Sequence, residues 1–575
     1  MFKGGKKIFK LIGLIFCVFL VYSCSQDNVI LNKEFYVTFE SNGGTHINPI
    51  TVLENDLLIM PTNPIKEGYI FKGWFTDIYL SSRFDELSVI EDNITLYAKW
   101  ELKELDGIIY SKIESGYSVT GFRNENLQTY DLLVIPETYL GLTVTRISAR
   151  AFYLNDYIFN YSLPESLVEI GDYAFFGAVM NELNIPSSVK IIGESAFSYC
   201  SLITSITISN TIEVIGENAF AECYNLKEVN IPFVGSKRDS TGNEQNFKYV
   251  FGNSEYCHYD KVNITDVDRI KAYSFSNVGN VYEINFPETV TVIEDYAFSN
   301  CRNITEITIP SGLIYLGRGA FISCKNLKNI IINAPLSIIR EYTFAACSEL
   351  ENFIFPDTIE IIEGNAFENC DKLNNITFPE SLKTILNSAF ASDSGLTNLV
   401  IPKTVTYIEE GAFASCYRLV SIEIPFVGDS ADSPKYFGSI FGGFDNVSNS
   451  IVVPYSIKKI TITSGDKIYP YAFSDCPGIE NIYLTETIKE IGSYAFYKCE
   501  RLNYISFDYV TSILSHAFDE CTFLSSVTIK DITVVIEELA FNNSIHLVIN
   551  VMLPEKPITW DDNWAGNTSS ILWNS

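Results

Sequence analysis

Thirteen cysteines and four histidines carry most of the reactive chemistry this chain could offer, and their spacing decides which chemistry it is. Ten cysteines stand three residues after a phenylalanine: Cys200, Cys223, Cys301, Cys324, Cys347, Cys370, Cys416, Cys476, Cys499 and Cys521. Cysteines in such number first suggest disulfides or a metal site. The other occupants of the same position argue differently. Asn155, Ala178, Val278, Asp393 and Ser544 stand there in five units. A slot shared by Cys, Ala, Val and Ser is small and buried, and a free thiol behaves there as a small hydrophobe. Stacked thiols are therefore preferred over disulfides or bound metal. Stacked strands lie about 4.8 Å apart, so geometry alone does not exclude pairing. Cys17, Cys24 and Cys257 fall outside this series. His46, His258, His516 and His546 lie far apart, with no metal-ligand spacing. Acidic residues are plentiful but scattered. No P-loop, dinucleotide-binding glycine loop, nucleophile elbow or zinc-protease signature occurs. The expectation is a protein that is not an enzyme and uses no cofactor and no metal.

The elements that position these cysteines follow a fixed period. Phenylalanines recur at 152, 175, 197, 220, 275, 298, 321, 344, 367, 390, 413, 473, 496, 518 and 541, in steps of 22 or 23 residues with two longer gaps. Such a period marks a solenoid, whose units bury their apolar faces only by stacking. Within one unit, Ile304 to Ile309 alternates at period two. It predicts a strand with Ile307 and Ile309 inward and Glu306 and Thr308 outward. Pro310 ends that strand, because it cannot donate a ladder hydrogen bond. Leu313 to Leu316 is a second extended piece, and Gly317 turns the chain into Ala320-Phe321.

The full pattern, Ala-Phe-x-x-Cys-x-x-Leu-x-x-Ile-x-Ile-Pro-x-x-Val-x-x-Ile-Gly, closely resembles the BspA-like class of leucine-rich repeats over roughly residues 130 to 546. That resemblance implies a mainly β fold, a leucine-rich repeat solenoid with a concave parallel sheet. Two units are longer. Pro232-Phe233-Val234-Gly235 and Pro425-Phe426-Val427-Gly428 open matching insertions, each followed by Phe-x-x-x-Phe-Gly and a further strand-like run. Each predicts an atypical extra coil with a bulging loop.

Ahead of the solenoid, Phe35 to Gly44, Pro64 to Asp77 and Ile94 to Trp100 together resemble the Listeria–Bacteroides repeat, the B-repeat of internalins. This implies a small β-grasp-like module of the kind found in secreted surface proteins, here present once and read as a spacer. Met1 to Lys10 is basic, Leu11 to Val21 is apolar, and Leu20-Val21-Tyr22-Ser23-Cys24 follows. A small residue directly before Cys after such a core resembles a bacterial lipoprotein signal. It implies lipidation of Cys24, although Tyr22 is bulkier than the usual pattern. An ordinary secretory leader is the alternative, and the protein would then be secreted. The expected organisation is a signal peptide at 1–23, a tether at 24–34, the B-repeat module at 35–101 and a solenoid cap at 102–150. Repeats follow at 151–546, with insertions near 233–262 and 426–459, and a C-terminal cap containing Trp560, Trp564 and Trp573 at 547–575.

Charge narrows the partners. Forty basic and seventy acidic residues give a net charge of −30, and removal of a leader holding Lys3, Lys6, Lys7 and Lys10 would lower it by four, to −34. This argues against nucleic acid and against direct electrostatic hold on anionic lipid. The outward strand positions locate a candidate binding strip. The first outward column runs Glu182, Ser205, Glu228, Glu283 and Glu306, then Asn329, Asn352, Asn375 and Asn398. The column beside it holds Ile331, Ile354, Thr377 and Val400. An apolar patch with an amide rail and an acidic flank is the kind of surface that marks an interaction site. The resemblance implies a lipid-anchored cell-surface adhesin whose partner is a host or bacterial surface protein. A cell-envelope scaffold and a polysaccharide-binding lipoprotein are the alternatives.

If Cys24 is the anchor, a Cys24→Ala variant loses radiolabelled fatty acid and leaves the membrane fraction. Unchanged labelling would exclude Cys24.

Overall fold

The computed structural model describes residues 33–66, 69–102, 107–124, 128–431, 436–506, 508–568 and 570–573. The signal-peptide and Cys24 expectations lie outside these described residues. Two compact units divide between Lys103 and Glu104. Among the described residues no helix is long and apolar enough to cross a membrane.

The first unit is a four-stranded mixed sheet of Glu34–Glu40, Ile50–Leu53, Tyr69–Phe75 and Ile94–Leu102. Glu34–Glu40 pairs in parallel with Ile94–Leu102 at the centre, and the two outer pairs are antiparallel. Alternation in Glu34–Glu40 sends Phe35, Val37 and Phe39 into a core with Trp74 and Leu96. Trp74 is buried, and the half-buried Trp100 donates from Nε1 to the Ser41 carbonyl at 2.9 Å.

The second unit is the solenoid. Each regular coil has one strand of up to four residues, a corner, a two-residue strand and a phenylalanine-centred turn. The first strands stack in parallel and in register, as in Glu306↔Asn329↔Asn352↔Asn375. The second strands do the same, as in Ile338↔Ile361↔Thr384↔Tyr407. In Glu306–Ile309 the burial alternates as the period-two reading requires, with Ile307 and Ile309 inside. Both ladders are interrupted more than once, at different coils, and one break of each shows the offset. The first breaks between Asn375–Thr377 and Asn398–Val400, where the second continues from Ile361–Ile362 through Tyr407–Ile408. The second breaks between Tyr315–Leu316 and Ile338–Ile339, where the first continues from Glu306–Ile309 through Asn352–Ile354.

The third side carries the aromatic stack. Phe298, Phe321, Phe344, Phe367, Phe390 and Phe413 lie ring over ring at centroid spacings of 5.1 to 5.7 Å. Each Phe N–H donates to the next coil, as Phe298 does to Ala320 at 2.8 Å and Phe367 to Ala389 at 2.8 Å. Two left-handed residues bracket each ring, at two positions before and two after it. Tyr296 (φ 57°) and Asn300 (φ 59°) flank Phe298, and Asn365 (φ 57°) and Asn369 (φ 61°) flank Phe367. For an L-residue this conformation costs of order 1 kcal/mol, and the coil-to-coil hydrogen bonds offset it.

The first insertion bridges the stack, and the second adds rings on the Phe473 side. Phe251 lies 5.8 Å from Phe220, and Phe247 lies 5.4 Å from Phe275, so the pair on the short helix Phe247–Phe251 fills the long gap between them. Phe437 lies 5.1 Å from Phe473 in the second insertion. Lys261–Ile264 and Lys459–Ile462 then join the first ladder as the expected extra strands. At the far end Trp560 and Trp564 are buried 4.7 Å apart, and Trp564 lies 6.1 Å from Phe541.

The ten cysteines after the phenylalanines are free and buried, as is Cys257. Most donate to the carbonyl of the previous coil's phenylalanine: Cys324 Sγ to Phe298 at 3.1 Å, Cys370 Sγ to Phe344 at 3.2 Å. Ser544 Oγ does the same to Phe518 at 2.8 Å. Burial pushes the Cys200 thiol up to about 12 and holds those of Cys347 and Cys521 well above the ordinary range, so they stay protonated donors. Asp393 occupies the same slot. Its Oδ1 accepts from Cys370 N–H at 2.7 Å, and burial holds its carboxyl well above the usual carboxylate range.

Two outcomes follow from this ladder. Alkylation of unreduced, denatured protein should label most of the ten thiols, and paired cysteines in the mass spectrum would contradict the structure. Burial favours the neutral form of Asp393 in the folded chain, whereas it ionises near pH 4 when unfolded, so folding takes up a proton at pH values between the two. Its contribution is fully present below about pH 4 and is lost as pH rises toward the raised folded value. Asp393→Cys should raise the melting temperature at pH 7 to 8 and flatten its decline with pH. Equal melting of the two proteins across that range would refute the assignment.

Candidate functional site

The strand face is built from the odd positions of the first ladder. Strand alternation forces every second side chain outward, and parallel register brings equivalent residues of successive coils side by side. Asn329 pairs with Asn352 and Asn352 with Asn375 along the ladder. Asn398 belongs to the next hydrogen-bonded sheet, beyond the break. The four asparagines are therefore three in register and one across a joint, not the continuous ladder that spacing alone predicts.

Asn329, Asn352 and Asn398 are exposed. Beside them Ile331 is 46% exposed, Ile354 82% and Val400 54%, while Phe353 and Phe355 point inward and are buried. Ile354 stands proud because its in-register neighbour Thr377 is small. Among the described residues no side-chain hydrogen bond joins Asn329 to Asn352. Asn398 Oδ1 accepts from Ser421 Oγ at 2.6 Å, and its Nδ2 donates to Thr397 Oγ1 at 3.1 Å. A bonded amide ladder does exist, elsewhere. Asn263 Nδ2 donates to Asn230 Oδ1 at 2.7 Å, and Asn285 Nδ2 to Asn263 Oδ1 at 3.0 Å, in the second outward column of earlier coils. Those amides are used by the fold, whereas Asn329 and Asn352 keep theirs for solvent or a ligand.

The acidic flank is less uniform than its spacing suggests. The insertion coil places Lys261 in register between Glu228 and Glu283, and Lys261 Nζ lies 2.9 Å from Glu283. Asn285 and Lys261 together hold the Glu283 carboxyl below the usual range. Downstream, the same columns carry residues that the Asn pattern alone does not reveal. Tyr483 and Tyr504 are partly exposed 5.5 Å apart, and Lys459 Nζ lies 5.2 Å from the Tyr483 ring. Their signal was the outward register itself, continued past the insertion. Among the described residues no three His, Cys, Asp or Glu side chains come close enough together to hold a metal ion.

A periodic stack of short parallel strands, each coil closed by a buried aromatic and offering one outward strand face, defines a leucine-rich repeat solenoid. The repeat pattern described as BspA type leucine rich repeat region matches residues 122–240, 248–348, 337–431 and 446–570, and the chain belongs to that family. The Listeria-Bacteroides repeat domain matches residues 35–99. Two proteins of Evansella cellulosilytica, both called membrane proteins in their names, are 41% identical over 71 residues and 44% identical over 69. Each alignment covers 12% of this chain, and the chain spans only 8% and 10% of those two relatives. Among solved structures, a leucine-rich repeat protein from Bacteroides ovatus is 22% identical, covering 82% of this chain and 99% of that one, with a TM-score of 0.34. A leucine rich cell surface protein from Faecalibacterium prausnitzii is 21% identical, covering 69% and 92%, with a TM-score of 0.29.

Proposed function

We propose that this chain is a bacterial cell-surface adhesin that binds a protein partner through the outward strand face of its solenoid. The reading is non-catalytic, with the B-repeat module as a spacer and a lipid on Cys24 as the membrane anchor. Membership of the BspA type family supports surface display and protein binding. The single observation that carries the site is the column of Ile331, Ile354 and Val400 lying exposed beside the amides of Asn329 and Asn352. Apolar side chains stranded on a solvated sheet cost stability in water and regain it when covered. Amides that bond no neighbouring rung can pair with the backbone of a partner laid across the strands.

The partner is a protein of the host surface or matrix, or of a neighbouring bacterium. Binding of purified protein to immobilised matrix proteins, with glycans in parallel, tests this class. No binding to any host component would favour an envelope scaffold instead.

The strip itself is tested by substitution. Asn352→Lys with Ile354→Glu should abolish binding while leaving thermal melting unchanged, since both side chains point to solvent. The loss expected for a central pair is roughly 2–4 kcal/mol. Phe353→Glu should instead lower the melting temperature, because it puts an unpaired charge among Phe344, Phe355 and Phe367. A double variant that binds normally would exclude this strip.

A further inference from the structure

The two insertions are copies that diverge at one place. From Gly252 to Val262 the first runs ten residues; from Gly442 to the equivalent Ile460 the second runs eighteen. The additional length carries the short helix Asn449–Val452. That helix packs onto Gly438: Asn449 Oδ1 accepts from Gly438 N–H at 2.7 Å, and Asn449 Nδ2 donates to the Ser474 carbonyl at 2.7 Å. A Cβ on Gly438 would collide with the Asn449 carboxamide and lie 3.0 Å from Val452 Cγ2. The residue equivalent to Gly438 in the first copy is Lys248, each following the first phenylalanine of its Phe-x-x-x-Phe-Gly motif.

With no such helix, the first copy has an open cleft of about 420 Å³ there, with Lys248 in its wall. In place of Asn449, Asn246 Nδ2 reaches the equivalent carbonyl, Ser276, at 3.3 Å. Lys248 is half-buried, and among the described residues no carboxylate pairs with its ammonium group. Burial lowers its pKa, as expected for a cation without a counter-charge. Arg302 also lines the cleft and is exposed, and its Nε donates to Asn300 Oδ1 at 2.8 Å. This leaves the terminal guanidinium nitrogens to face a ligand. Asn300 is itself fixed by donation to Asn277 Oδ1 at 2.7 Å, and Asn280 by donation to the Ser254 carbonyl at 3.2 Å. Glu255 is the one carboxylate among the described lining residues. Two full cations against one carboxylate is a local reversal in a chain of net charge −30.

We propose that this cleft binds a carboxylated sugar. Two cations in one lining suit an anionic ligand, with the Arg302 fork able to take a carboxylate in bidentate fashion. The carboxamides of Asn277, Asn280 and Asn300, each held by a hydrogen bond of its own, offer their remaining donor and acceptor capacity to ring hydroxyls. No hydrophobic side chain lines the cleft, which sets it apart from pockets for apolar ligands or peptide side chains. The volume suits one or two sugar rings. This site lies outside the strand-face strip and stands independently of it.

Isothermal titration calorimetry of the full chain with trigalacturonate and with 3′-sialyllactose separates a uronic from a sialic source. Lactose and hexaglutamate serve as the neutral-sugar and acidic-peptide comparisons. At least one acidic sugar should bind saturably, and lactose roughly tenfold or more weaker. Lys248→Met and Arg302→Gln should each weaken that binding by roughly tenfold or more. Arg302 is exposed, so its variant keeps the melting temperature and decides the matter if Lys248→Met fails to fold. Failure of both acidic sugars to saturate at millimolar concentration would overturn the proposal, as would equal binding by the Arg302→Gln variant. Hexaglutamate binding as tightly as the sugars would make this a peptide site and overturn it equally.

Discussion

A single coil of this solenoid cannot bury its own aromatic ring, and everything else in the fold answers that constraint. Within a regular run, as from Phe298 to Phe390, each ring is covered above and below by those of the coils before and after it. Truncating such a buried ring typically costs about 3–5 kcal/mol, because the neighbours cannot collapse into the space. The same phenylalanine supplies its N–H to the next coil and its carbonyl to the thiol of that next coil. Ring, amide and carbonyl thus all point along the stack. The left-handed residues on either side are the backbone cost of turning the chain tightly around that ring. The small slot three residues later admits a thiol because it takes a compact group, and a thiol there can also donate weakly to the preceding coil's carbonyl. Serine donates in the same way at Ser544, whereas Asp393 accepts from Cys370 N–H through Oδ1, and burial favours its neutral form.

Much of this was open to reading from residue types. The phenylalanine period and the alternation in Ile304 to Ile309 place rings and strands correctly, because both depend on strong apolar burial repeated in phase. The left-handed positions were not readable, since Tyr296, Asn300, Gly319, Ser323 and Ala346 share no side-chain chemistry and only the backbone conformation unites them. Nor was the continuation of the stack through the first insertion, where Phe247 and Phe251 replace the Ala-Phe unit on a helical turn. The outward direction of Ile331, Ile354 and Val400 was legible. Whether neighbouring asparagines bond one another was not, because that depends on rotamers of exposed side chains. The cleft beside Lys248 draws on an insertion and on two later turns, with Arg302 fifty-four residues beyond Lys248, so no local pattern announces it.

Repetition explains where function can reside in such a chain. Positions that serve stacking are held to a narrow set of residues by their neighbours on both sides. Positions on the strand face and in the insertions are free of that demand, and there the coils differ from one another. Asn230, Asn263 and Asn285, in the second outward column, spend their amides on the fold, while Asn329 and Asn352, in the first, do not bond one another. The two insertions show the same divergence on a larger scale, one closed by its own helix and the other open.

The interruptions of the two ladders have a mechanical consequence. Where the strand-face ladder stops between Thr377 and Asn398, the second ladder runs through, and where the second stops between Leu316 and Ile338, the first runs through. The joints are offset like those of a brick wall. A crack started at any one joint meets an intact course on the adjacent side and must turn to advance. Shear along the long axis is therefore spread over several coils, and no single plane offers itself for cleavage.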